Sequence, residues 1–323
     1  MKITVVIPTY NSAAFIRNTL ESVFRQTLPP DEILVLDDGS TDDTVAILNS
    51  YKPRITVLQQ KNGGVAAARN NLCLHATGEL LGFLDHDDVW HPDYLKTQRR
   101  LYAEHPDAVA FFTGHDTIYG AEDVHQWSGT NGENGYRAEV IFQVDFIRRY
   151  HEAMGSFMSM SFCCVPRTAL QRLGERPFCE EVSGVDDCVL FHRLPFFGPI
   201  VYYPGKLAAY RISASAQSAD RIKGAPLVVR AMELLGSYYN DLEDTRLLAV
   251  YQWAFATRRR ECGKVLMGGG KAAEARRQFA LSMDAFRNPV SLVKSMGLLI
   301  FSYLPRPLQP RWLPTQTITQ PRA

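Results

Sequence analysis

Residues 83–90 read FLDHDDVW and put three carboxylates, Asp85, Asp87 and Asp88, within four positions directly behind the apolar run LLGFL. Like charges this close repel, so the stretch calls for a positive partner. Acids at the tip of a buried strand gain nothing from the core. Clustered carboxylates with little else are what hard divalent ions bind, commonly alongside substrate phosphates. Magnesium or manganese suits an all-oxygen set, whereas zinc prefers His and Cys. His86 and His91 flank the cluster, but a histidine beside a carboxylate is more often its hydrogen-bond partner than a ligand. The expected cation is therefore Mn2+ or Mg2+ bridging to a diphosphate, and the plain alternative is a solvated acidic turn.

Three other stretches carry comparable residues. In DDGSTDDT (37–44), Gly39 permits a tight turn and Ser40 or Asp42 can cap a following helix. An ordinary strand-to-helix turn does not need two leading acids, and a carboxylate there can accept from a base N–H or a ribose hydroxyl. In NGGVAAARNN (62–71), Arg69 either reaches a phosphate or sugar or pairs with one of the acids. In SGVDDCVLFHRL (183–194), Asp186 and Asp187 either stabilise a helix N-terminus or supply a general base. Arg193 and Arg211 are further cations for an anionic ligand.

The elements that must position these groups follow from hydrophobic periodicity. ITVVI (3–7), ended by Pro8, EILVL (32–36), ITVL (55–58) and LLGFL (80–84) read as short, near-continuous apolar strands. Between them lie helical stretches: one capped by Asn11 or Ser12, one through Val45 to Leu48, and one from Ala66 to Leu74. Strands that alternate with helices predict a mostly parallel, Rossmann-like sheet covered on both faces. Ligands of such sheets lie outside the carboxyl ends of the strands, so the turns at 8–11, 37–41 and 85–88 are expected along one edge. Residues 113–136 read as loop, 143–203 as mixed signals that include SMSFCCV (159–165) and a helical stretch at 185–194, and the chain beyond Gly224 as helical to about 304. Residues 291–304 are apolar but too short for a membrane span and read as a core or bundle helix, with an interfacial helix the alternative, and the Pro-rich stretch 305–323 reads as a disordered tail.

Composition bounds the remaining choices. The chain has 323 residues, 46% of them hydrophobic and 11% aromatic, enough for one large α/β domain plus an appendage. Its six cysteines form no CxxC pair, which reads as buried thiols in a reducing compartment. The N-terminus lacks the pattern of a signal peptide, and a cytoplasmic location is expected. The net charge of +1 hides an asymmetry: residues 1–244 hold 22 Lys+Arg against 31 Asp+Glu, and residues 245–323 hold 13 against 3. The acidic majority disfavours nucleic acid, with the Arg258–Arg260 cluster the one opening. The basic end suits an anionic partner such as lipid headgroups, hence peripheral contact with the inner face of the cell membrane; a solvated basic surface is the plain alternative.

VVIPTYN (5–11), DDGSTDDT, NGGVAAARN, LDHDD (84–88) and the later acidic pair, in this order, resemble the family 2 inverting glycosyltransferases of GT-A fold. The resemblance covers residues 1–215, leaving a helical region at 216–304 and the tail at 305–323. It implies a nucleotide-diphosphate sugar donor, with a UDP-sugar favoured, and a glycan or lipid-linked acceptor. Pro8, Thr9, Tyr10 and Asp38 would hold the base, and Asp85 the ribose. Asp87 and Asp88 would hold the metal, Arg69 and Arg211 the leaving diphosphate, and Asp187 would be the catalytic base. Two features depart from the pattern: the usual Glu-Asp pair is Asp186-Asp187, and no QxxRW motif follows it. That motif belongs to processive synthases, so single-sugar transfer in surface polysaccharide or lipid-linked glycan assembly is implied. Two rivals remain at this stage. One is a sugar-nucleotide-binding paralogue without turnover. The other is a haloacid-dehalogenase-type phosphatase, whose DxDx[TV] pattern DHDDV also fits, although three strand–helix units precede it here.

Overall fold

A computed structural model describes residues 1–120, 136–153, 158–212, 220–240, 242–283 and 289–304, which form two compact units, 1–216 and 217–323. In the first unit, β1 (Ile3–Thr9), β2 (Glu32–Asp37), β3 (Thr56–Gln59) and β4 (Leu80–Phe83) lie parallel in the order β3-β2-β1-β4. The helices between them are α1 (Ile16–Phe24), α2 (Thr44–Asn49) and α3 (Val65–His75). Side chains alternate across the sheet: Ile3, Val5 and Ile7 meet Ile16, Leu20, Val23 and Leu48 on one face, while α3 packs on the other. Both faces of β1, β2 and β4 are covered, which is why they read as unbroken apolar runs, while the edge strand β3 is partly exposed.

The first strand does not stop at Pro8. It pairs with β2 through Thr9, opposite Asp37. A proline is tolerated because its missing N–H falls where no partner waits. Val6 faces β4 and accepts from Leu84 N, and Pro8, two residues on, faces the same side beyond the last paired residue of β4.

Beyond β4 the sheet becomes mixed. Its further strands are β5 (Val89–Trp90), β6 (Ala110–Tyr119), β7 (Glu139–Ile141), β8 (Cys163–Pro166) and β9 (Ile200–Ile212). The path runs β4-β8-β6-β9-β5, with β7 on β9. Three helices complete the unit: α4 (Tyr94–Glu104), α5 (Gln143–Glu152) and α7 (Asp186–Arg193), with the short α6 (Arg167–Gln171) after β8. Residues 113–119, expected as loop, are the second half of β6. Its pairing with β9 shifts register around Thr113, Gly114 and His115, which breaks the two-residue period that sequence reading relies on. The loop expected further on, 121–135, lies outside the described residues, as does the tail at 305–323.

The second unit is helical: α8 (Arg221–Asn240), α9 (Thr245–Gly268), α10 (Ala272–Leu281) and α11 (Pro289–Phe301). Asp244 caps α9, accepting from Arg246 N at 2.9 Å and Leu247 N at 3.2 Å. The Phe279 ring of α10 lies so close to Gly263 of α9 that a β-carbon there would sit 2.4 Å from it. Cys262, Leu266, Ala275, Phe279 and Leu298 form the core. Arg258 and Arg260 are buried in it, so the arginine cluster that left an opening for nucleic acid faces inward. No helix among the described residues is long and apolar enough to cross a membrane.

Candidate active site

The carboxyl ends of β1, β2 and β4 carry the three polar turns, joined side by side. Asp38 N donates to Thr9 O at 2.8 Å. Asn11 N donates to Ser40 Oγ at 2.9 Å, and Asn11 Oδ1 accepts from Thr41 N at 2.8 Å. Asn11 takes a left-handed φ of 46°, a conformation its short polar side chain tolerates. Neither Asn11 nor Ser12 caps α1 through its side chain; both hold the first turn to the second, Ser12 N reaching Thr44 Oγ1 at 2.8 Å. Thr9 is buried with its hydroxyl bonded to that of Ser12, whereas the Tyr10 ring stands 43% exposed at the edge.

Asp38 is spoken for. Its Oδ1 accepts from Gln60 Nε2 and Gly63 N, and its Oδ2 from Gly64 N, all at 2.8 Å. The second turn thereby shapes the third. Gly64 has φ 87°, and a β-carbon on it would lie 2.6 Å from Ser183 Oγ. Ser183 in turn accepts from Ala66 N at 3.2 Å, which docks the segment before α7 onto the start of α3.

Arg69 of α3 is buried and forked between two acids. Its Nη2 meets Asp85 Oδ1 at 2.7 Å and its Nη1 meets Asp186 Oδ2 at 2.8 Å. Burial works against its charge, but the two carboxylates outweigh it and the guanidinium is held protonated beyond its ordinary range. Of the two readings left open by the sequence, the geometry shows the pairing. Each terminal nitrogen is paired with one carboxylate. Asp186 also accepts from Gly184 N at 3.0 Å and is fully buried. Its neighbour Asp187 is only partly buried, and one oxygen accepts from Cys188 N at 2.8 Å. Burial, with the charge of Asp186 added, pushes Asp187 up to about 6 against the pull of Arg69. Two adjacent acids at a helix start thus differ sharply: one is locked into an ion pair, the other is poised near neutrality.

The tip of β4 is braced from behind. Asp85 N donates to Ser161 Oγ at 3.0 Å, and Trp90 Nε1 donates to Ser161 O at 2.7 Å. Arg211 is buried rather than aimed outward. Its backbone N donates to Asp88 Oδ1 at 2.7 Å, its Nε donates to Asp87 O at 2.7 Å, and its Nη1 reaches Gly120 O. These bonds tie the acidic turn to β9. Arg193 donates to the carbonyls of Pro177 and Leu173, away from this cluster.

The same turn bears on a divalent cation. Asp88 Oδ2 is buried without a hydrogen-bond partner. Burial raises both Asp87 and Asp88, His86 opposing it at Asp87, and the charges of nearby acids raise them further. An orphaned carboxylate oxygen beside a second carboxylate, with only oxygen donors present, fits magnesium or manganese. No three His, Cys, Asp or Glu among the described residues converge to hold a metal unaided. Asp87 and Asp88 would supply part of a cation's oxygen shell, and no third such side chain among the described residues completes it. Sequence reading missed Ser161, Ser183, Gln60 and the ion pair of Asp186. None has a type or spacing that marks it, since their partners lie far away along the chain.

A mixed sheet with acidic turns gathered at the carboxyl end of its parallel half, followed by helices, is the architecture of GT-A glycosyltransferases. Residues 4–163 match the profile of Glycosyl transferase family 2. An uncharacterised glycosyltransferase of Nostoc sp. is 30% identical over 263 residues, 75% of each chain. TuaG of Bacillus subtilis, named for teichuronic acid biosynthesis, is 38% identical over 120 residues, 36% of this chain and 47% of TuaG. S. aureus TarS superposes with a TM-score of 0.68 over 94% of this chain and 54% of TarS, at 19% identity. The mannosyltransferase PcManGT of Pyrobaculum calidifontis, solved with GDP-Man and Mn2+, gives 0.59 over 94% of this chain and 81% of its own, at 21% identity. The chain belongs to glycosyl transferase family 2. That membership removes the phosphatase reading, and Asp85 follows the fourth strand of this sheet, not the first, and is paired with Arg69.

Proposed function

We propose that the chain is an inverting transferase that moves one sugar from a nucleotide-diphosphate donor, UDP-linked in the favoured case, to the hydroxyl of a glycan or lipid-linked acceptor. The observation that carries it is Asp187. It is a carboxylate pushed to about 6, tied by one oxygen only to Cys188 N, and anchored next to the acidic tip of β4 through the Asp186–Arg69–Asp85 chain. A non-catalytic binder has no use for a poised base. TarS has been solved with UDP and with UDP-GlcNAc, which supports the same donor class here.

In this reading the nucleoside lies across the turns of β1 and β2, with the exposed Tyr10 ring and the Pro8–Thr9 backbone against the base. Asp38 shapes that pocket by holding the Gly63-Gly64 amides, and Asp85 takes the ribose. Asp87 and Asp88 would hold Mn2+ or Mg2+, which when bound neutralises charge on the diphosphate. The acceptor hydroxyl gives its proton to Asp187 as its oxygen bonds to the anomeric carbon. The bond from that carbon to the diphosphate oxygen breaks on the opposite face, which inverts the centre. Arg69 and Arg211 are positioning residues that keep Asp85, Asp186 and the Asp87–Asp88 turn in place.

Calorimetric titration of UDP, GDP, dTDP and CMP, each with and without manganese, tests the donor half of the proposal. Metal-dependent tightening for one diphosphate is expected, with UDP foremost. No binding of any of the four, with or without metal, would overturn it.

A further inference from the structure

The second unit contains a helix turned inside out. Along α11 and the turn after it, the buried positions Ser295, Leu298 and Ser302 are two serines and one leucine. The serine hydroxyls are satisfied inside the unit: Ser295 Oγ meets Arg260 Nη1 at 3.3 Å and Ser282 Oγ at 2.9 Å. The outward positions Val293, Met296, Ile300 and Tyr303 are 69%, 46%, 61% and 66% exposed. Their spacing of three, four and three residues sets them in one stripe, and Phe301 widens it. A water-facing helix has the opposite arrangement. An exposed apolar stripe of this length marks a surface that something covers.

Charge identifies the occupant. Lys294, exposed, lies at about 100° from Val293 on the helical wheel and so edges the stripe on one side. On the other, Arg276 stacks over the Tyr303 ring at 4.1 Å and donates to Ser302 O at 3.0 Å. Residues 245–323 hold 13 basic and 3 acidic side chains, and no acid follows Asp284. An apolar face rimmed by cations on a strongly basic unit complements lipid chains beneath anionic headgroups. At 13 residues α11 is too short to span a bilayer and long enough to lie in its interface. We propose that the Val293–Met296–Ile300–Tyr303 face of α11 docks the chain on an anionic membrane surface, lying in the plane of the headgroups. The inference does not depend on the transferase reading.

Flotation of the full chain with vesicles tests it, comparing phosphatidylcholine with mixed phosphatidylcholine–phosphatidylglycerol. The chain is expected to partition onto the mixed vesicles, more weakly at high salt, and far less onto phosphatidylcholine alone. Ile300→Asp is expected to lower partitioning roughly tenfold or more, and Lys294→Glu at least about fivefold, with thermal unfolding unchanged because both sites are exposed. Val293→Asp gives the same readout at a second position should Ile300→Asp disturb folding. Three results overturn the proposal: no partitioning of the wild type onto anionic vesicles, wild-type partitioning by both aspartate variants, or a wild-type dimer without vesicle binding that Ile300→Asp dissolves. The last would assign the face to a second copy of the chain.

Discussion

Each unit buries arginines, and one from each, Arg69 and Arg260, are held in opposite ways. Arg69 sits between the carboxylates of Asp85 and Asp186. Arg260 sits among hydroxyls, its Nη2 on Thr257 Oγ1 at 2.8 Å and its Nη1 on Ser295 Oγ. Burial lowers the affinity of Arg260 for its proton, and the charge of Glu261 opposes this without overcoming it, whereas two acids reverse the effect at Arg69. The difference teaches what each unit is built to keep. The first unit fixes charge in pairs, so that one carboxylate beside the pair, Asp187, stands at a defined affinity for protons. The second sets Arg260 against hydroxyls and stays basic as a whole.

The largest expected effect tests whether the pair serves the base. Asp187→Asn should slow sugar transfer by about two to four orders of magnitude while donor affinity, read by calorimetry, stays within about twofold. The wild-type rate should rise with pH through about 6 and then level, because Asp187 must be deprotonated to accept a proton. Its folded-state affinity for protons is raised, so the folded chain binds more protons than the unfolded one from about 4 to 6 and loses stability as pH rises through that window. Asp187→Asn should therefore be more stable than wild type at pH 7.5, on the order of 1–2 kcal/mol by thermal unfolding. An inactive variant that is also less stable would contradict the reading of a strained base.

Arg69→Met comes next. It leaves Asp186 buried without a counter-charge, a loss of about 3–5 kcal/mol of stability in denaturant unfolding. Because Arg69 holds the proton affinity of Asp187 down, the residual activity should need a higher pH than the wild type. A variant that unfolds normally and keeps the wild-type pH profile would break the comparison at its stronger end. Gly64→Ala tests the docking of the loop that carries the pair. With φ 87° and Ser183 Oγ 2.6 Å from the added carbon, a loss of about 1–3 kcal/mol is expected.

How far these arrangements were legible in the sequence depends on how local they are. β1, β2 and β4 were readable because each apolar run is buried on both faces, and β2 and β4 lead straight into acids; β3, at the sheet edge and partly exposed, was readable by its β-branched run. β9 was not: Pro204, Gly205 and Lys206 interrupt it, and its bulged pairing with β6 packs Pro204 O against Gly114. The acids at the edge could be found by type, but their division of labour could not. Arg69 and Asp186 are 117 positions apart, and nothing between them signals the contact. Residues 291–304 announced an apolar helix, yet only the fold tells that Ser295 and Ser302 point inward and Ile300 outward.

The smallest effect is the sharpest test of the contrast. Replacing a buried ion by an apolar side chain of similar volume removes both its desolvation cost and its hydrogen bonds, and the two nearly cancel when the partners are neutral. At Arg260 the described hydrogen bonds go to the hydroxyls of Ser295 and Thr257. Ser295 and Ser282 can still bond each other at 2.9 Å once the guanidinium is gone, and Thr257 keeps its bond to Trp253 O at 2.8 Å. Arg260→Met should therefore change stability by less than about 1 kcal/mol in denaturant unfolding, while the same substitution at Arg69 costs several times more. Equal losses at the two sites would mean that burial, and not pairing with carboxylates, governs how this chain holds its internal arginines.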